Sequence, residues 1–406
     1  MSSFTPRIGV PFFEPSGLPD AVYDAGAEPV PLRLPNARPA GGVALAREWA
    51  ADLATVSCAD ESLDGLLLAS ENPEDIFGTC LAALRLDLPA VCVPPTSISL
   101  HATLAALGLA PLSGQLSDAI AALAGGKVPR IGALVDNFSL ANAVRAVAVA
   151  GGGLELAVHL AALAREAGVV GFSRMLEVLS SETPAVSFEW SKEHGCEGLL
   201  AYLGEALHDV PTVMGGLREG LPDAPPVAGE HSRLVFAGGR SSGTGVVCRV
   251  GVGVAEVAGE CRVFEAEKIA VRAVESGEVE EGTLLVVRGC GPRGGPGLLR
   301  LDGLAGAMRE AGVSVPVLTD GLAPEEAPGV WGSLFAPEAA VGGVIGRLRD
   351  GDVLRLDLME GRIKTAVEAE EFAERTPYGY DPPSGAGYAN RLARSALPGL
   401  EGGGFG

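Results

Sequence analysis

Leu284–Leu301, LLVVRGCGPRGGPGLLRL, sets Cys290 between Arg288 and Arg293 in a loop with five glycines and two prolines. Such a loop gives up side chains so that backbone can come close to something else. A thiolate is the reactive form of cysteine, and a neighbouring guanidinium lowers the thiol pKa. Cys290 is therefore a candidate nucleophile, with Arg293, Gly294 and Gly295 as candidate substrate contacts. The plain alternative is a tight turn with an inert thiol, since no histidine lies nearby in sequence. Glu325 and Glu326 are a second constellation. Adjacent carboxylates could hold a divalent metal or work as an acid and base pair. Their alternative is a solvated acidic turn between Pro324 and Pro328. His194, Cys196 and Glu197 are metal ligands by type, or else a polar cap region. Cys58, Cys80 and Cys196 lie in or beside apolar segments, where a buried structural thiol is the usual case.

These groups need a scaffold, and the chain supplies two patterns. Leu63–Ser70 and Ala90–Pro95 are continuous apolar runs with a helical stretch Glu74–Leu86 between them, a βαβ signature of a parallel sheet covered by helices. Helical spacing also marks Val43–Thr55, two Ala/Leu-rich segments within Thr96–Gly125, then Ser139–Val149, Leu154–Ala167 and Glu197–Leu207. Arg7–Phe13 is a short apolar run, and the stretch from there to Val43 reads as a Pro-rich connection. From Asp223 to Gly229 the chain becomes Pro- and Ala-rich, and short Gly-punctuated strands follow, which places a domain boundary there. The expectation is an α/β domain over residues 1–225 with a largely parallel sheet, a second domain over 230–375, and a tail over 376–406 with a short helix.

Composition narrows the partners. The 406 residues carry 51 Asp and Glu against 30 Lys and Arg, a formal charge of −21. That excess argues against nucleic acid or an anionic membrane. No apolar stretch runs far enough to span a bilayer, and the start of the chain shows no secretion signal. Seven scattered cysteines without a CxxC pair fit a reducing cytoplasm and exclude the strong zinc signatures.

Several blocks carry a resemblance. DGLLLASENPEDIFGTCLAALRLDLPAVCV (Asp64–Val93), NFSLANAVRAVAVAGGGLELAVHLAALAREAGV (Asn137–Val169), HGCEGLLAYLGEALHDVPTVMGGLREGL (His194–Leu221), the Gly-rich loop, VPVLTDG (Val315–Gly321) and APEAAVGGVIGRLRDGDVLRLDL (Ala336–Leu358) occur in order, with GGRSSGTGVVCRVG before the loop and GYANRLARSALPG near the end. In order and spacing they resemble the dihydroxy-acid dehydratase and 6-phosphogluconate dehydratase family, with internal shortenings. The resemblance implies a C-terminal β-barrel-like swivel domain flanked by helices. It also implies a site near a dimer interface.

Family enzymes remove water from a sugar acid or dihydroxy acid with an iron–sulfur cluster as Lewis acid, a magnesium ion and a serine base. Cluster iron is held by thiolates. Where the family's Cys-Asp-Lys would fall stand Asn72, Pro73 and Glu74; the early cluster block shrinks to PFFEPSG, and the third is missing. The resemblance places Arg300 at a metal-binding glutamate, Cys290 at a carboxylate before Gly-Pro, and Glu155 at the Asn of the Gly-Gly-Ser-Thr-Asn motif. A lysine-bearing metal block has shrunk to LPNARPAGG (Leu34–Gly42), and the serine base reads Pro324. Asp320 and His159 keep family places, although a strand-end Asp-Gly is also an ordinary turn, and helical spacing around His159 suits packing. Asn72, His159 and Asp320 join the candidate substrate contacts. Glu155 joins Cys290, Glu325 and Glu326 as a candidate catalytic group.

No cofactor is then expected, a divalent ion at Glu155, Glu325 and Glu326 being the one exception. Three readings follow. The first is a non-catalytic dehydratase-like protein that binds a small carboxylic or hydroxy acid, or serves as partner or regulatory subunit, as a homodimer or with a longer homologue. The second is a cluster-independent lyase with a rebuilt pocket. The third is a working dehydratase whose cluster uses other thiolates. Site chemistry, not fold, must separate them.

Overall fold

The computed structural model describes residues 5–12, 17–35, 38–226, 229–239, 244–381 and 384–406. Parts of the short blocks Pro11–Gly17 and Leu34–Gly42, of the Asp223–Gly229 boundary and of Gly238–Gly251 lie outside the described residues. The chain forms two compact units. One holds residues up to 38, 46–152 and 159–230, the other residues 39–45, 153–158 and 231 onward.

The first unit is built on a parallel sheet of β1 (Arg7–Phe12), β2 (Glu28–Arg33), β3 (Gly65–Leu68) and β4 (Ala90–Cys92), in the order β2-β1-β3-β4. Every residue of β3 and β4 is buried, as continuous apolar runs require in a sheet covered on both faces. The helix Pro73–Arg85 crosses between them, and Asn72 starts it by accepting from the Glu74 amide at 3.2 Å. Four elements differ from the expectation. The Pro-rich connection contains a helix, Leu18–Asp24, and β2 itself, which accommodates Pro29 and Pro31 because it is an edge strand. A helix at Phe172–Glu182 was not expected. The helix expected from Glu197 begins at Phe188, turns at Gly195 with φ 66°, and runs to Leu203. A two-stranded ribbon, β5 (Pro211–Thr212) and β6 (Gly215–Gly216), follows.

The second unit has an eight-stranded sheet. Its strands are β7 (Ser232–Gly239), β8 (Thr244–Gly251), β9 (Glu256–Phe264), β10 (Thr283–Val287), β11 (Val317–Thr319), β12 (Trp331–Ala336), β13 (Val353–Asp357) and β14 (Arg362–Thr365). The order is β14-β13-β9-β10-β11-β12-β8-β7, parallel from β9 to β12 and antiparallel toward both ends. The ends curl toward each other, the Gly238 amide donating to the Gly361 carbonyl at 2.8 Å, so the sheet is barrel-like and nearly closed. Strand alternation sorts the core. Val246, Cys248, Leu284, Val286, Leu318 and Leu354 pack together on one face. Leu285, Val287 and Val317 pack on the other against the helices Glu267–Glu275 and Asp302–Ala311.

Candidate functional site

The Gly-rich loop leaves the end of β10, at the carboxyl edge where parallel strands present ligand-binding loops. Its amides face two carboxylates from this chain. Gly289 and Cys290 donate to Asp320 at 3.2 and 2.9 Å, and Ala339 donates to the same carboxylate at 2.9 Å. Arg293 donates to both oxygens of Glu338 at 3.1 Å, and Gly294 to one of them at 3.2 Å. The Gly295 amide goes to the Gly291 carbonyl at 2.9 Å. The carbonyls of Pro296, Leu298 and Gly297 accept from the amides of Gly42, Val43 and Ala44 at 2.8, 3.0 and 2.8 Å, at the start of the helix Val43–Ala59. The Arg293 side chain donates through Nε to the Ala396 carbonyl at 3.1 Å, and its own carbonyl accepts from the Tyr380 hydroxyl at 2.7 Å. Gly294, Gly295 and Arg293 thus have internal partners instead of forming a vacant cradle. Gly291 is required here, because a Cβ on it would lie 2.2 Å from a Glu338 oxygen.

Burial dominates the electrostatics of the loop. It pushes the Asp320 carboxyl up, while the amides of Ala339, Cys290 and Gly289 pull it back. Glu338 is pushed up to about 7 by burial, with Asp320 adding to the shift and the Gly294 amide opposing it. Cys290 is 1% exposed, and burial followed by the charges of Asp320 and Glu267 raises its thiol well above the ordinary value. The expected activation by arginine does not hold. Arg288 turns away to the carbonyls of Gly346 and Leu348 and to Glu265, each at 3.0 Å.

Glu155 and Arg300, 145 residues apart, form an ion pair, and Arg300 Nε also meets Asp302 at 2.9 Å. Burial works against the Arg300 charge, but Glu155 and Asp302 outweigh it and hold the guanidinium firmly protonated. Glu155 therefore serves as a counter-ion rather than as a free base. Glu325 and Glu326 are both exposed. Glu325 bears on the Arg249 guanidinium, which burial lowers to about 10, and the Glu326 carbonyl receives Arg309 at 3.5 Å. Among the described residues these carboxylates form no metal set with Glu155.

Two candidates lie in the first unit. His159 is wholly buried and stacked on Phe77 with centroids 5.3 Å apart, its Nδ1 3.3 Å from Arg47. Asn72 is a helix cap. Next to it sits a pair that sequence reasoning missed, Arg38 and Asp75 at 2.5 Å. Burial raises Asp75 to about 6 despite Arg38. His194 packs on Trp190 with centroids 4.4 Å apart, while Glu197 accepts from the Ser113 amide at 2.5 Å, so these two diverge. Glu338 was also missed. Its one signal is a carboxylate in an otherwise apolar and glycine run, APEAAVGG.

A family profile described as Dihydroxy-acid/6-phosphogluconate dehydratase C-terminal matches residues 226–402, which include the loop, Asp320 and Glu338. Residues 226–402 belong by this match to the dihydroxy-acid/6-phosphogluconate dehydratase family. It is similar to the dihydroxy-acid dehydratase of Citrifermentans bemidjiense, 34% identical over 58% of this chain and 47% of that protein. It is also similar to dihydroxy-acid dehydratase 2 of Bordetella bronchiseptica, 31% identical over 72% of this chain and 58% of that protein. With the dihydroxy-acid dehydratase of Aeropyrum pernix the identity is 28% over 87% and 71%. The match spans about half the length of the first of these relatives.

The family's iron–sulfur chemistry can be compared with the thiols present. All seven cysteines are buried, and Cys80 and Cys92 approach each other at 3.6 Å. Among the described residues no three His, Cys, Asp or Glu side chains come together as a metal set. Asn72 stands where the resemblance implies a cluster thiolate, and its side chain caps a helix. The described residues do not fit the cluster.

Proposed function

We propose that this chain is a non-catalytic member of the dehydratase family, acting as a partner or regulatory subunit of an active dehydratase. One contact supports the reading. Glu155 and Arg300, two of the positions that the resemblance places in the family's magnesium site, form an ion pair. A buried carboxylate already bound to a guanidinium has little charge left to offer a divalent ion, and removing the arginine would leave that carboxylate uncompensated. In this reading the ion pair stands in place of a metal.

The test combines turnover and stability. Protein prepared without oxygen is assayed for release of a 2-oxo acid from 2,3-dihydroxy acids and from 6-phosphogluconate, alone and mixed with an active dehydratase from the same cell. The expected result is no turnover alone, a changed rate in the mixture, and a lowered melting temperature for Arg300→Ala. Turnover by the chain alone, abolished in Arg300→Ala at unchanged melting temperature, would sink the proposal.

A further inference from the structure

The turn that carries Glu338 has a second face. There a cleft of about 710 Å³ opens in the second unit, walled by Pro337, Val344, Val367 and Phe372, with Arg347 and Thr365 as its polar groups. Arg347 uses Nη1 on the Ala373 carbonyl at 2.5 Å. Among the described residues its Nε and Nη2 have no partner, and those two N–H groups form the edge that binds a carboxylate in a fork. The Thr365 oxygen accepts from the Val367 amide at 3.2 Å, which leaves its proton to donate. Apolar walls with few convergent polar groups are the usual makeup of a small-molecule site.

Charge narrows the ligand further. Among the described residues Arg347 is the one ionisable residue lining the cleft. Glu368, Glu370 and Glu374 are exposed on and beside the helix Ala369–Glu374, in a chain of net charge −21. A ligand with two or more negative charges meets one cation and several repelling carboxylates; a single carboxylate on an apolar body matches both the walls and the cation.

The cleft also connects to the Gly-rich loop. Gly343 closes the turn by donating to the Glu338 carbonyl at 3.0 Å, and the Glu338 carboxylate holds Arg293 and Gly294. Arg347 lies between Gly346 and Leu348, whose carbonyls receive Arg288 at the start of the loop. We propose that this cleft binds a small monocarboxylic acid with an apolar body through Arg347 and Thr365, and that occupancy is transmitted to the Gly-rich loop through the Pro337–Leu348 segment. The proposal stands whether or not the chain is catalytic.

Octanoate and phenylacetate are the probes, with octanol and the dicarboxylate suberate as controls, titrated calorimetrically into the full chain. One saturable site is expected for each monocarboxylate, with suberate and octanol at least tenfold weaker, about 1.4 kcal/mol. Arg347→Met should weaken octanoate tenfold or more. Val344→Trp, which fills the cleft without touching the cation, should do the same and covers the case in which the arginine variant fails to fold. Hydrogen exchange of the Gly289–Gly297 amides should slow in octanoate. Octanol binding as tightly as octanoate, no saturable heat, or unchanged affinity in both variants overturns the site. Unchanged exchange in the loop overturns the transmission. Self-association that Arg347→Met abolishes would assign the cleft to a second copy of the chain and also overturn it.

Discussion

The Gly-rich loop and the start of the helix Pro73–Arg85 solve the same problem in opposite ways. Both leave backbone amides that need acceptors. At the helix, Asn72 supplies one two residues away. In the loop the acceptors are Asp320, 30 and 31 residues from the amides it binds, and Glu338, 44 and 45 residues away. A local cap survives in any fold that keeps the helix, whereas the loop is ordered only if β11, β12 and the following turn are already in place. The loop is therefore the more vulnerable of the two, although it holds more hydrogen bonds.

The largest test of that contrast is Asp320→Ala. Three amides, two of them in buried hydrogen bonds, would lose their acceptor, and the expected loss is about 3 kcal/mol or more, read from the urea midpoint. A loss below about 1 kcal/mol would mean that water or a rearranged loop replaces the carboxylate, and the contrast would fail.

Glu338 offers a pH-dependent version. Its carboxyl is raised from 4.5 to about 7 in the folded chain, so protonation favours the native state. The sign follows from linkage: this contribution is fully present below about pH 4.5 and is lost as pH rises through about 7. Subtracting the stability profile of Glu338→Gln from that of the wild type should show a decline across this window. A flat difference would show that the carboxyl titrates normally.

The smallest expected effect is Asn72→Ala, about 1 kcal/mol, the ordinary value of a helix cap, with the Gly-rich loop unaffected in hydrogen exchange. A loss as large as that of Asp320→Ala would erase the distinction between local and long-range satisfaction.

Much of this architecture is readable along the chain. The continuous apolar runs of β3, β4 and β10 and the helical spacings around them state their own secondary structure, because burial on both faces removes polar residues. The ordered blocks point to the family. β2 is harder to read, since its two prolines mimic a loop, and only its place at the sheet edge makes them tolerable. The helix Phe172–Glu182 is also harder to read, because it starts after a glycine with no capping side chain. Cys290 shows why residue type misleads: an arginine two residues away in sequence points elsewhere in space, and burial raises the thiol instead.

The sequence by itself determined the charge, most of the element types and the Gly-rich loop, because each is a local property of neighbouring residues. Only the tertiary structure decided that Glu155 meets Arg300, that Asp320 and Glu338 occupy the loop's amides, and that Arg347 lines an apolar cleft. Those contacts join residues tens to more than a hundred positions apart. Their chemistry is set by burial and by which charge lies opposite, neither of which is written in spacing along a chain.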